Sequence, residues 1–270
     1  MRPVVDHVPV AVTDLQATSE RFERAGLPPT YGGEHDDGTT EMALVVLPDG
    51  SYLELIAPTG RGEPGFWPDA LREGVGPCAW CVQTGSVHGE LKRFVDHEVR
   101  VDGPHRRGRE TPDGTRVEWD MGFLGPEGAE LLPFLIADRT PREYRVPDSE
   151  LYGSPLSGIG WVVLLTDDLS ATIERFTRYY RLPSPRRDVD ARFGDLAWFP
   201  EQAFVLAEPG DGPMVERLDS VGPGPAAVLL SAEMDHARQQ FDLGDGYSWF
   251  DRRLAFFDAT DAPLGVVSRA

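Results

Sequence analysis

The sequence predicts an α+β fold built from four similar units, each a strand and a helix followed by further strands. Three observations carry that expectation. The stretch from Asp14 to Phe22, DLQATSERF, returns from Asp168 to Phe176 as DLSATIERF, changed only at its third and sixth positions. Each copy follows an apolar run, Val8 to Val12 and Val162 to Leu165, and each leads to Leu-Pro, at Leu27-Pro28 and Leu182-Pro183. The intervening stretches are short, apolar or alternating, and separated by Pro-Asp-Gly and Gly-rich turns, which is the spacing of strands.

In order, the first unit reads as a strand over Val4 to Val12, a helix over Asp14 to Ala25, a short strand between Pro29 and Gly33, and strands over Glu41 to Leu47 and Ser51 to Ala57. Thr13 with Gln16 three residues later resembles a capping box, and Gly26 suits the position just past a helix end. Pro48-Asp49-Gly50 makes a tight turn. The second unit repeats the order: strand Cys78 to Val82, helix Val87 to His97, strands Arg116 to Met121 and Glu130 to Ile136. A segment rich in proline and charge, 138–155, reads as a linker. It joins a first domain, residues 1–140, to a second, 156–270. The third unit covers Gly158 to Glu208. The fourth has strand-like Ala226 to Leu230, helical Met234 to Phe241, and strands near Leu254 to Phe257 and Leu264 to Val267.

Composition bounds the partners. The formal net charge of −19 over 270 residues disfavours nucleic acid and anionic membrane surfaces, which are held through basic patches. No apolar run approaches the ~20 residues that span a bilayer. The start at Met1 enters a strand-like run with no secretory leader, so a cytoplasmic location is expected. Lys92 is the only lysine among 26 basic residues, which with 45 acidic ones suggests a GC-rich genome and a salt-adapted organism; an ordinary acidic bacterial protein is the alternative. Cys78-Ala79-Trp80-Cys81 lies in a predicted strand, where residues three apart face opposite sides, so both cysteines read as reduced and buried.

Beyond this order of elements, particular residues resemble the vicinal oxygen chelate superfamily, and within it the glyoxalase-like domain proteins. They are Val5-Asp6-His7-Val8-Pro9-Val10-Ala11-Val12, Gly32-Gly33-Glu34-His35, Gly38-Thr39 and Asp49-Gly50-Ser51-Tyr52-Leu53-Glu54-Leu55-Ile56. Pro112-Asp113-Gly114-Thr115-Arg116 with Glu118-Trp119, and Leu132 to Ile136, extend the likeness through the second unit. The resemblance implies strand-helix-three-strand modules paired into cupped, mixed or antiparallel sheets. It also implies a divalent metal, zinc, iron, manganese or nickel, that chelates two adjacent oxygens of a small substrate. Other members have no metal and sequester a drug.

Strand periodicity turns His7 away from Val8, Val10 and Val12, and turns Tyr52 and Glu54 away from Leu53 and Leu55. In the implied fold these strands are neighbours, so His7 and Glu54 converge as metal ligands. A buried hydrogen bond ordering the sheet, or acid and base catalysis without metal, are the alternatives. The second module would supply further ligands. There Cys78 or Ala79 matches His7, so Cys78 is a candidate thiolate ligand, while Pro133 or Phe134 matches Glu54 and cannot ligate. The 154-residue offset of the repeated helices puts Trp161 opposite His7, and an offset of 151 puts Val205 opposite Glu54, which leaves the second half without ligands.

His35, flanked by glycines, is a further ligand or catalytic base, and Asp36 and Asp37 would raise its pKa if they approach; a solvated loop histidine is the alternative. Arg106, Arg107 and Arg109 lie in a predicted loop that offers guanidinium groups to a substrate carboxylate or phosphate, or ion pairs to nearby acids. Trp119 and Tyr52 offer aromatic contacts to substrate. The expected function is therefore a metal-dependent enzyme of lyase, isomerase or dioxygenase type acting on a small molecule, as a monomer or homodimer, with Glu54 and His35 catalytic. A metal-free binding protein of the same fold is the alternative, and a structural module whose cup its own side chains fill is a third possibility.

Overall fold

The computed structural model describes residues 3–126, 131–258, 260 and 263–269. The first half runs β1 (Val4–Ala11), α1 (Leu15–Arg24), β2 (Thr30–Glu34), β3 (Thr40–Val46), β4 (Tyr52–Pro58), α2 (Pro68–Glu73), β5 (Gly76–Pro77), β6 (Cys81–Gln83), α3 (Val87–Val95), β7 (Val101–Glu110), β8 (Arg116–Leu124) and β9 (Phe134–Asp138). After α4 (Arg142–Arg145), the second half runs β10 (Leu156–Leu165), α5 (Leu169–Tyr180), β11 (Arg186–Asp190), β12 (Gly194–Trp198), β13 (Phe204–Glu208), α6 (Pro213–Val221), β14 (Gly224–Ala232), α7 (Met234–Gln240), β15 (Tyr247–Trp249), β16 (Arg252–Phe256) and β17 (Leu264–Ser268).

Two curled, mixed sheets result. The first follows β2-β3-β4-β1-β6-β9-β8-β7, with β5 also on β1; the second follows β11-β12-β13-β10-β14-β17-β16-β15. Unit for unit the two paths are the same. In each unit the first strand pairs in parallel with the last, β1 with β4 and β10 with β13, which requires the helix to cross between them.

The repeated nonapeptide forms α1 and α5 in the same way. Asp14 and Asp168 cap them, accepting from the backbone N–H of Ala17 at 2.9 Å and of Ala171 at 2.8 Å. Leu15, Thr18 and Phe22 are buried, and so are their counterparts Leu169, Thr172 and Phe176. The cap corrects the expected Thr13 to Gln16 box: Gln16 instead donates to Glu20 one turn on, because Asp14 already satisfies the first free N–H. Gly26 takes the left-handed conformation just past the helix, as expected.

Val8, Val10 and Val12 pack with Leu53, Leu55 and Phe22 in an apolar cluster that continues through Trp80 to Val162, Phe204 and Leu206 of the other half. At about 1.5–3 kcal/mol for each large side chain buried, this shared layer is the main stabilising element. The opposite, concave faces differ. The second is filled by Trp161, Trp198, Trp249, Phe193 and Phe250, all buried. The first is hollow.

Three expectations shift. The strand expected over Cys78 to Val82 is interrupted: β5 ends at Pro77 and β6 begins at Cys81. The strand expected from Glu130 begins at Phe134, and Glu130 itself lies outside the described residues. Segment 138–155 is not a bare linker, since it carries α4 and buries Arg145, Val146, Ser149 and Leu151 against the first half.

Candidate functional site

A bulge at the start of β1 builds the site. Across to β6, Val5 pairs with Val82 and His7 with Cys81, so Asp6 is an extra residue in β1. An extra residue interrupts the two-residue alternation, and Asp6 and His7, though adjacent, both turn to the concave side. The second half carries the same bulge, with Ile159 opposite Leu230, Trp161 opposite Leu229, and Gly160 as the extra residue. A Cβ at Gly160 would stand 2.6 Å from Val267 Cγ1 and 3.0 Å from the Leu229 carbonyl oxygen, so that bulge has no room for a side chain.

His7 is stacked on Tyr52, ring centroids 4.5 Å apart and 8° between planes, with Phe134 edge-on at 5.4 Å. Its Nδ1 lies 2.7 Å from Asp6 Oδ1. Its Nε2 lies 3.4 Å from Glu54 Oε2, and on the far side of that carboxylate His35 Nε2 lies 3.5 Å from Oε1. His35 Nδ1 is within hydrogen-bond distance of Thr40 Oγ1, at 2.8 Å. Each imidazole is thus oriented through Nδ1 and turns Nε2 to one buried carboxylate.

Asp6 is in turn bracketed by α4. Arg145 donates to Asp6 at 3.0 and 3.2 Å, to Asp138 at 2.6 and 3.1 Å and to Tyr52 Oη at 2.6 Å, and Arg142 also pairs with Asp6. These partners decide the charges. Burial alone would raise the Asp6 carboxyl, but His7 and Arg145 hold it far below the usual carboxylate range. Burial disfavours a charged His7, yet its surroundings of Tyr52, Cys81 and Asp6 raise it well above its ordinary value. Burial pushes Tyr52 up to about 12 and the Cys81 thiol up to about 11, so both are neutral near pH 7 and the charge that sustains the His7 imidazolium is that of Asp6. Glu54 is lowered despite its burial, by His7, His35 and Arg109.

His35 goes the other way. Burial lowers it, and Arg109 adds to this against the opposing pull of Glu54, Asp37 and Asp36. The two aspartates do pull His35 upward as expected, but burial outweighs them and the net shift is downward. Asp36 is taken up by Arg116 at 2.5 and 2.7 Å, and Asp37 is tied to Thr39.

The arginine segment is also not a loop. It belongs to β7, whose edge closes onto β2 through a bridge between His35 and Arg109 and a hydrogen bond from Asp36 N–H to the Gly108 carbonyl. Gly33 permits the approach: it has φ +99°, and a Cβ there would stand 2.7 Å from the Glu110 carbonyl oxygen. Alternation along β7 separates the three guanidinium groups. Arg106 bonds Glu118 at 2.6 Å, Arg107 lies over Phe66 at 5.0 Å at the mouth, and Arg109 is buried, donating to the Gly32 and Arg145 carbonyls. Trp119, opposite Arg107 in register, meets His35 edge-on at 6.3 Å.

Of these residues, His7, His35, Tyr52, Glu54, Arg109 and Trp119 are among those that line a cavity of about 240 Å³, while Asp6 lies behind it. Its apolar walls include Met42, Ile56, Phe66, Trp67, Met121 and Phe134. Cys78 is not among the lining residues; it packs with Ala11, Ile56 and Leu71, its Sγ 3.6 Å from the Pro9 carbonyl. The bulge moves the pairing along, so Cys81 rather than Cys78 stands beside His7. Phe134 pairs with Cys81 and takes the wall where a second carboxylate would stand.

Two donor sets are available to a metal ion. Asp6, His7 and Cys81 offer atoms within 4.8 Å of one another, but Asp6 is saturated by two arginines and Cys81 lies outside the cavity lining. The second set is His7 Nε2, His35 Nε2 and Glu54, which face the cavity. It is a two-histidine, one-carboxylate set with both imidazoles tethered through Nδ1, a chemistry that suits a divalent ion. Its two Nε2 atoms, however, stand against opposite oxygens of Glu54, and among the described residues only the first set has three donor atoms within 4.8 Å of one another. The second would have to draw together to hold an ion. Sequence reasoning missed Asp6, Arg142, Arg145 and Cys81. Of these, Asp6 alone left a signal, since the same offset that matches His7 to Trp161 matches it to Gly160.

Residues 5–180 match the family model described as glyoxalase-like domain, which runs across the 138–155 segment into α5. No curated protein matches the chain. Solved structures share the fold. A hypothetical protein from Staphylococcus aureus is 15% identical over 98% of both chains, TM-score 0.65. The Mn(II)-bound glyoxalase from Novosphingobium aromaticivorans is 10% identical over 99% of this chain and 83% of its own, TM-score 0.60. A mutant of 4-hydroxymandelate synthase from Streptomyces coelicolor is 13% identical over 100% and 93%, TM-score 0.60. At these identities the likeness is one of fold. Among the described residues, no helix is long and apolar enough to cross a membrane.

Proposed function

The chain belongs to the glyoxalase-like domain family, and on that premise we propose that its first cup is a metal-dependent active site for a small substrate with adjacent oxygens. His7, His35 and Glu54 hold the ion, one of manganese, iron, nickel or zinc. The observation that carries this reading is the pair of imidazole Nε2 atoms at 3.4 and 3.5 Å from one buried carboxylate, each ring oriented through Nδ1. A divalent ion bound there supplies Lewis-acid stabilisation of the negative charge that develops on the substrate oxygens, in chemistry of lyase, isomerase or dioxygenase type. It also accords with the manganese ion named for the Novosphingobium glyoxalase.

The chain's own residues prepare that chemistry. Asp6 aligns His7 and makes its imidazole more basic, and Tyr52 fixes the ring by stacking. Glu54 keeps its charge despite burial. His35 is neutral near pH 7, so it accepts a proton or donates its lone pair without first losing a proton. The apolar walls exclude water from the reacting oxygens.

Metal content of protein purified without a histidine tag, with melting curves on adding each ion to stripped protein, tests the reading. One bound equivalent and a raised Tm are expected, both lost in Glu54→Gln. No uptake of any of the four ions overturns it. A metal-free sequestering protein is the second reading, favoured by the His7 imidazolium that already neutralises Glu54. Ligand binding that chelators leave unchanged, in protein that takes up no metal, selects it.

A further inference from the structure

We propose that the first cup takes a small, largely apolar carboxylic acid, whose carboxylate accepts a hydrogen bond from the buried Nε–H of Arg109. This deepens the reading of the cup as the functional site and rests on it, while its chemistry belongs to residues other than the metal donors.

Arg109 is only 2% exposed and lines the cavity. Its two terminal nitrogens donate to backbone carbonyls, of Gly32 and Arg145, and its Nε has no hydrogen-bond partner. Among the described residues no carboxylate stands within ion-pair distance of it, whereas Arg106, Arg116, Arg142 and Arg145 each have one. Glu54 is near enough for its charge to act on Arg109, but its two oxygens face His7 and His35 and do not pair with Arg109 directly. A buried guanidinium with an unmade hydrogen bond and no direct ion pair is costly unless something completes it.

The donor left over is a single N–H, which suits one oxygen of a small carboxylate. The place is also suitable: Arg109 and His35 are bridge partners where the sheet closes, so an anion on Nε sits beside the His35 and Glu54 end of the cavity. The rest of the occupant must be apolar, to match Met42, Ile56, Trp67, Met121 and Phe134. An apolar cavity of about 150 Å³ admits benzene, so the 240 Å³ here holds one ring with a short acidic arm. Arg107, exposed at the mouth over Phe66, attracts the acid as it enters.

The test uses full-length, metal-stripped protein, with phenylacetate and its uncharged analogue phenylacetamide as probes. Binding is read by tryptophan fluorescence, since Trp67 and Trp119 line the cavity. Phenylacetate is expected to bind about tenfold or more tighter than the amide, as a charge-assisted hydrogen bond implies. Arg109→Gln should erase that preference, while Arg178→Gln, an exposed change outside the cavity, should change it by less than about threefold. Equal binding of the two probes, binding of neither, or a preference that survives Arg109→Gln overturns the proposal. Should Arg109→Gln not fold, Arg109→Lys keeps the charge and removes the Nε donor, and an undiminished preference there is equally fatal. Because metal is absent, failure here leaves metal uptake untouched, and failure of metal uptake leaves the acid preference to be read.

Discussion

Asp6 in the first half and Gly160 in the second occupy the same bulge, each the extra residue before the side chain that reaches the centre of its cup, His7 or Trp161. In the first half the bulge brings in a carboxylate that binds α4 and charges an imidazole. In the second it brings in nothing, and the indole of Trp161 fills the space. One backbone device thus serves a polar cavity in one sheet and a solid core in the other.

Asp6→Asn should be among the most destabilising single changes in the chain. It leaves Arg145 buried with one carboxylate fewer and removes the counter-charge of His7, and breaking a buried pair from one side costs about 3–5 kcal/mol. Urea unfolding monitored by circular dichroism measures it. A loss below about 1 kcal/mol would show that the network relaxes around the change.

Trp161→Ala should cost about 3–5 kcal/mol through the cavity it leaves, because the indole is fully buried against Trp198, Trp249 and Phe250. Metal uptake by the first cup should not change. A variant that loses metal binding while remaining folded would show that the second cup acts on the first.

The two histidines should give opposite pH slopes in metal-free protein. The folded pKa of His7 is raised, so its contribution is fully present below its unfolded value of about 6.5 and is lost as pH rises through the folded value. The folded pKa of His35 is lowered, so the fold favours its neutral form and stability falls as pH drops from about 6.5 through the folded value. His7→Gln should flatten the alkaline limb of the stability profile and His35→Gln the limb just below neutrality. The reverse assignment would contradict the charge states described.

Salt should stabilise the protein. With a net charge of −19, self-repulsion is screened as the Debye length falls from about 10 Å at 0.1 M to about 3 Å at 1 M. Melting curves from low to molar sodium chloride should shift upward, and a flat series would remove the expectation of salt adaptation.

Order of elements and facing were legible along the chain because they depend on local chemistry. The period of two along β1 and β4 aimed His7 and Glu54 at one cup, and the 154-residue offset matched His7 to Trp161; the strands pair as offsets of 154 in the first strand and 151 in the second require. Glycines around His35 marked the bend that brings it in. The arginine segment was visible only as charge, and which guanidinium faces inward depended on its belonging to a strand.

Other features were not local. Arg145 sits in a stretch whose composition reads as linker, yet it is the residue that α4 drives into the cup against Asp6, 139 positions away in sequence. The choice of Cys81 over Cys78 beside His7 followed from one inserted residue that shifts the pairing of β1 with β6. The sequence alone was enough for the modules and for which half turns polar side chains into its cup, since strand periodicity is local and a repeat is read by comparing the chain with itself. Only the folded chain decided which charges meet, because burial and pairing across distant segments set their energies.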